Sequence, residues 1–138
     1  MTTPSTAPYG ALVLRAALGT MFLAHAGLKI FVFTLPGTVG FFESLGLPGF
    51  FAYLTIAAEA IGGLALIAGF ATRYVSLALI PVLLGALFLV HASKGWLFTN
   101  EGGGWEYPAF LAAAALAQAL LGDGAWSLSG YLNARKTK

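Results

Sequence analysis

The sequence contains no cysteine. The chain therefore forms no disulfide, holds no thiolate-ligated metal and carries no iron–sulfur cluster of its own, so any thiol chemistry belongs to a partner. Charge is nearly as scarce. Only 9% of the residues are charged, against 59% that are hydrophobic, whereas a soluble domain carries about 25% charged residues. So few charges cannot cover a water-facing surface, but they suit a surface that faces lipid. The net charge of +2 rests on seven basic and five acidic groups. It speaks to loop orientation and gives no basis for nucleic-acid binding.

What remains is apolar and punctuated. Within 138 residues there is room for one domain with transmembrane spans at about 9–33, 50–70, 74–91 and 106–122. The fold expected is an all-α integral membrane bundle of four helices. Pro36-Gly37 closes the first run, and Leu45-Gly46-Leu47-Pro48-Gly49 marks a turn before the second, so residues 34–49 are expected to be loop. Pro81 lies inside the third span, where membrane helices tolerate a kink. Gly122-Asp123-Gly124 stops the fourth, and the polar tail Ala125–Lys138 is expected at the membrane interface. Arg15, the run Ala16–Leu23 and Ala24-His25-Ala26 loosely imitate a cleaved signal peptide, but the run continues past that point to Phe33. No internal repeat stands out.

An even number of spans puts both termini on the side of the Arg73 loop. Arg73, Arg135, Lys136 and Lys138 lie there, against Lys94 and Lys29 opposite. By the positive-inside rule the basic side is cytoplasmic. Trp96 and Trp105 then fall at an outer aromatic belt and Trp126 at an inner one.

Ionisable residues within spans are costly, and so are functional candidates. Arg15, His25, Lys29 and Glu59 qualify. At 100° per residue Arg15, His25 and Lys29 share an arc of about 80°, with Phe22 on the same stripe, so this stripe faces protein or water. Depth counting places Glu59 near the midplane, with axial gaps of roughly 7–8 Å to Arg15 and to His25. Glu59 is therefore expected to pair with Arg15, His25 or both. The plain alternatives are an ion pair that only fixes helix register, a Lys29 that snorkels to the headgroups, and a His25 satisfied by backbone. The loop opposite the termini adds His91, Lys94, Glu101, three consecutive glycines at 102–104, Trp105 and Glu106. Glu106 opens the fourth span and is expected to point inward toward His25, Lys29 and His91. Neither His-x-x-His nor Glu-x-x-His spacing occurs, so no metal is expected. Small residues in the second span (Ala58-x-x-x-Gly62, Ala65-x-x-x-Gly69) permit close packing, within the bundle or, less favoured, in a homo-oligomer.

These pieces, in this order, resemble the DoxX family. They are Leu14-Arg15-Ala16-Ala17-Leu18-Gly19, Phe22-Leu23-Ala24-His25-Ala26-Gly27-Leu28-Lys29, Gly40-Phe41-Phe42, Gly46-Leu47-Pro48, Glu59-Ala60-Ile61-Gly62-Gly63-Leu64-Ala65-Leu66, Gly69-Phe70-Ala71-Thr72-Arg73, His91, Gly103-Gly104-Trp105-Glu106-Tyr107 and Leu121-Gly122-Asp123-Gly124-Ala125-Trp126-Ser127-Leu128. The resemblance covers about residues 11–128 and implies a four-helix bundle in the bacterial cytoplasmic (inner) membrane. It implies several activities rather than one, among them a subunit of a thiosulfate:quinone oxidoreductase, a component of thiol and superoxide defence, and a cargo receptor.

Three functions are carried forward. The first is a quinone-interacting membrane subunit of an oxidoreductase system, without a redox centre of its own. His25, Lys29 and Glu59 would handle protons, and Arg15, Phe22, His91, Trp105 and Glu106 would line the ligand site, in a pocket open to the outer side. Quinone is its candidate cofactor, and a redox protein and membrane lipids are its candidate partners. The second is a protein that binds or moves a small molecule or lipid. The third is a scaffold for other membrane proteins.

Overall fold

The computed structural model describes residues 5–136. Lys138, counted above on the basic side, lies outside the described residues. Helix α1 (Ala7–Gly27) begins with Pro8 in its first turn and runs on through a π-helical turn at Leu28–Val32. Helix α2 (Leu35–Ser44) is short; α3 spans Phe50–Ala68 and α4 Thr72–Gly85. A second π-helical turn, Ala86–His91, and one 3-10 turn, Ala92–Lys94, extend α4. Helices α5 (Glu106–Leu121) and α6 (Leu128–Lys136) complete the chain.

Among the described residues, three helical segments are long and apolar enough to cross a bilayer: Ala7–Val32, Phe50–Ala68 and Thr72–Lys94. The fourth apolar helix, α5, has 16 residues, about 24 Å at the usual rise and slightly short of the hydrocarbon thickness of about 30 Å. Helices are what these runs must form, because lipid satisfies no backbone N–H or C=O. The protein is a helical membrane bundle. Helix α1 packs on α3, α3 on α4, α4 on α5 and α5 back on α1. The central core is Leu18, Phe22, Leu66, Leu79, Leu83, Leu111 and Ala115. Small residues close the α1–α3 contact: a Cβ at Gly19 would lie 2.6 Å from the Gly63 carbonyl, and one at Gly63 would lie 2.8 Å from the Gly19 carbonyl. The two backbones touch at mid-helix, so this glycine pair serves packing inside the bundle.

The segment expected as a loop at 34–49 contains α2. Pro36, read in sequence as a stop, stands in the first turn of this helix, where its fixed φ and missing N–H do no harm. Thr34 caps the helix, its Oγ1 accepting from Gly37 N at 3.3 Å.

The two ends of the bundle differ, and α1 and α5–α6 meet at one of them. There Ala125 N donates to Pro8 O (2.9 Å) and Ser129 N donates to Gly69 O (3.1 Å). This end, the terminal end, is organised by Arg15, which is 1% exposed. Its Nε donates to Asp123 O (2.9 Å), and Nη2 donates to Ala125 O (2.9 Å) and Trp126 O (3.1 Å). Nη1 donates to Leu66 O (3.0 Å) and to Ile67 O. All five guanidinium N–H groups thus go to backbone carbonyls, two of them, Leu66 O (which also accepts from Gly69 N at 3.1 Å) and Ile67 O, in the last turn of α3 at the negative end of the helix dipole. Gly69 makes room for this. It takes φ +72°, and a Cβ there would lie 2.8 Å from Arg15 Cζ. The Asp123 carboxylate acts in parallel, its Oδ1 accepting from Thr72 N (2.9 Å) at the start of α4.

The expected Arg15–Glu59 pair is therefore corrected. In a helix the Cα–Cβ bond tilts toward the N-terminus. On α1 that carries Arg15 toward the terminal end. On the antiparallel α3 it carries Glu59 toward the opposite end. Depth counted along the axes missed this divergence.

If Arg15 is the organising group, Arg15→Gln should cost about 3–5 kcal/mol of stability. Arg15→Lys, with three donors in place of five, should recover only part. Gly69→Ala should cost about 1–3 kcal/mol through its backbone conformation alone. Thermal unfolding in detergent measures all three; an Arg15→Gln protein as stable as the parent contradicts the assignment.

Candidate polar site at the loop end

The opposite end, the loop end, holds the buried Glu59 and Thr38. Glu59 sits on the inner face of α3, 3% exposed. Its partner is Lys29, whose Nζ lies 2.9 Å from Oε1 and 2.8 Å from Oε2. The Lys29 side chain is 20% exposed and that of Glu59 4%. The tilt that separated Arg15 from Glu59 produces this pair: on α1, Lys29 leans back toward the midplane, and on α3, Glu59 leans outward to meet it. Lys29 does not snorkel to the headgroups.

Lys29 stands in the π-helical turn at Leu28–Val32, where its carbonyl accepts from Thr38 Oγ1 of α2 at 2.9 Å. The second π-helical turn carries His91 at its end. Such turns are rare and collect at functional sites. Here both extend spans at the same end of the bundle, and each bears an ionisable side chain.

One turn back on α1 from Lys29, His25 Nε2 lies 3.0 Å from the Tyr107 hydroxyl of α5, with the two rings edge-on at 5.8 Å. Lys29, Glu59, His25 and Tyr107 thus form two hydrogen-bonded pairs drawn from three helices. The missing partner for His25 is Tyr107, which sequence inspection noted only as part of a matching piece.

The other candidates take separate places. His91 Nδ1 is 2.8 Å from Gly103 O; a carbonyl only accepts, so Nδ1 carries the proton and Nε2 is left for another group. Glu106 does not point inward. Its Oε1 accepts from Phe98 N at 2.9 Å, which fixes the loop, and this corrects the expected orientation. Trp105 packs edge-on against Trp96 at 4.5 Å. Phe22, 2% exposed, is part of the packed core, and Arg15 belongs to the terminal end. The single cavity expected around His25, Lys29, Glu59, His91 and Glu106 is replaced by an open groove of about 440 Å³, lined by Trp96, Phe98, Glu106, Tyr107 and Phe110. Phe110, Phe98 and Trp96 are 73%, 64% and 53% exposed, so on this membrane protein the groove has its apolar walls toward lipid. Tyr107 forms its polar limit, with His25 behind. Among the described residues no three His, Asp or Glu side chains come close enough together to hold a metal ion.

A family model described as DoxX matches residues 10–92, from α1 through the second π-helical turn. The chain belongs to the DoxX family. One relative is a Bacillus subtilis (strain 168) protein named "Putative oxidoreductase CatD", 39% identical over 92 residues, which are 67% of either chain. Another is "Inner membrane protein YqjF" of Escherichia coli (strain K12), 31% identical over 129 residues, 90% of this chain and 92% of that one. No solved structure matches at a significant level. Arg15, His25, Lys29, Glu59 and His91 fall within the DoxX match, whereas Tyr107, Glu106 and Asp123 lie beyond it.

The pairing makes opposite predictions for two double-mutant cycles. Lys29→Met and Glu59→Gln should couple by about 1–3 kcal/mol, the double change costing less than the sum of the singles. Arg15→Gln and Glu59→Gln should add within about 0.5 kcal/mol, as distant sites do. Thermal unfolding reads both cycles; the reverse pattern restores the Arg15–Glu59 pair.

Proposed function

We propose that this protein is a membrane subunit of an oxidoreductase system that binds a quinone at its loop end. The observation that carries this reading is the groove ending at Tyr107, with the His25–Tyr107 and Lys29–Glu59 pairs behind it. A quinone needs an apolar surface for its ring and tail and donors for its carbonyl oxygens. Trp96, Phe98 and Phe110 offer the surface, and the Tyr107 hydroxyl offers a donor at its edge. Reduction of a quinone to the quinol takes up two protons. His25 can relay one through Tyr107, and the Lys29–Glu59 pair can exchange another. Electrons come from a partner protein or directly from substrate, since a chain without cysteine has no cluster ligands of its own. The printed name of the Bacillus subtilis relative supports the oxidoreductase class, and that of the Escherichia coli relative supports the inner membrane. The excess of Arg and Lys at the terminal end supports cytoplasmic termini and an outward loop end.

A second reading, a scaffold or assembly subunit, is favoured by a different observation. Each polar side chain of the cluster already has a partner within the chain, as groups that only hold a bundle together would.

Titrating a short-tailed quinone into the protein in nanodiscs separates the two. Trp96 lines the groove, so its fluorescence should be quenched saturably, and Tyr107→Phe should weaken binding by about tenfold, the worth of one hydrogen bond. Quenching that rises linearly without saturating, unchanged in Tyr107→Phe, sinks the quinone reading and leaves the scaffold. Topology is tested in the natural cysteine-free background. The thiol of Thr99→Cys should react with an impermeant maleimide outside intact cells and that of Asn133→Cys should not; the opposite pattern inverts the orientation.

A further inference from the structure

Among the described residues, three buried side-chain oxygens at the terminal end have no hydrogen-bond partner within the chain: Thr72 Oγ1, Ser76 Oγ and Gln118 Oε1. All three residues are 0% exposed. They are not scattered. Thr72 and Ser76 stand four residues apart on the face of α4 that also buries Leu79 and Leu83. Gln118 stands on the buried face of α5, and α4 and α5 pack closely along each other. Thr72 N bonds the Asp123 carboxylate (2.9 Å), which registers the start of α4 against the end of α5. From that register Ser76 lies one turn into the bundle, about 6 Å, and Gln118 about as deep on the facing helix. Ser76 and Gln118 therefore stand at a similar depth on two adjacent helices, with Thr72 one turn nearer the terminal end.

A buried polar oxygen left unpaired costs about 1–3 kcal/mol. Three within about one turn of depth would be a heavy penalty for a small bundle in lipid. We propose that Thr72, Ser76 and Gln118 form an internal water site between α4 and α5, hydrated from the terminal end. The terminal end offers a supply route. Gln118 Nε2 donates to Gly122 O at 2.8 Å, and Gly122 lines an open groove of about 400 Å³ with Ala71, Arg73, Tyr74 and Asp123. A buried water makes two to four hydrogen bonds to groups otherwise unsatisfied. The hydroxyls of Thr72 and Ser76 donate and accept, and Gln118 Oε1 accepts. A cation is the poorer occupant, because the N-terminus of α4 directs positive potential into the site. Beyond it the buried face of α4 continues with Leu79 and Leu83, so the water stops there and does not run through to the Lys29–Glu59 pair. The site is independent of the quinone reading.

Two measurements test this together. Cysteine reactivity requires the thiolate, which forms only where water reaches the sulfur. In the cysteine-free chain, Ser76→Cys should react with methyl methanethiosulfonate at least about tenfold faster than Leu83→Cys on the same face. Equal rates overturn the proposal. Thermal unfolding of Ser76→Ala and Gln118→Leu supplies the second arm. Each loses a water-bonded group and should lower the Tm; a raised Tm in both shows dry, unsatisfied oxygens and overturns it.

Discussion

Hydrocarbon offers no hydrogen bonds, and that constraint orders the rest of this structure. A polar side chain drawn into the bundle must find its partner inside the chain or in enclosed water. Arg15 shows the consequence in its most demanding form: a cation with five donors, 1% exposed, whose N–H groups all end on backbone carbonyls. Those carbonyls belong to the end of α3 and to the link between α5 and α6. One side chain thus joins α1 to both and satisfies helix ends that lipid would leave bare. Asp123 does the reciprocal work with its carboxylate on the start of α4.

The same constraint divides the molecule into two ends around an apolar middle. Leu18, Phe22, Leu66, Leu79, Leu83, Leu111 and Ala115 form that middle. The terminal end is bonded mainly to backbone and is suited to rigidity. The loop end is bonded side chain to side chain, through Lys29–Glu59 and His25–Tyr107. It also rests on two π-helical turns, whose wider geometry departs from the regular helix. A buried glutamate with half-buried ionisable partners is the kind of arrangement that proton transfer would use under the proposed function. A buried pair of this kind is weak evidence for stability in itself, since its desolvation offsets most of its attraction. Under the proposed function, its placement behind the aromatic groove would give it a chemical use.

Composition made the fold class legible, because 9% charge leaves lipid as the only solvent for such a surface. The stripe of Arg15, His25 and Lys29 was legible too, as a face that avoids lipid. Partner choice was not. Counting depth along helix axes brought Arg15 to Glu59, whereas the tilt of side chains toward each helix N-terminus sends them apart and brings Lys29 in. That rule was available from the sequence once α1 and α3 were taken as antiparallel. Helix α2 was hidden because Pro36 reads as a stop although it opens a helix. Glu106 looked inward because the loop backbone it serves, Phe98 N, has no sequence signature. Tyr107 carries no charge to mark it, and nothing in the sequence sets Thr72, Ser76 and Gln118 apart from other uncharged polar residues.

The central claim is that Lys29, not Arg15, is the partner of Glu59, and that the two cations serve opposite ends of the bundle. Solid-state NMR on the protein in bilayers, with ¹⁵N in the lysine and arginine side chains and ¹³C in the glutamate carboxyls, tests it most directly. The account predicts dipolar recoupling between the Lys29 Nζ and the Glu59 carboxyl, in keeping with a contact of 2.8 Å, and none from the Arg15 guanidinium. Recoupling of Glu59 to Arg15, with Lys29 silent, would contradict it.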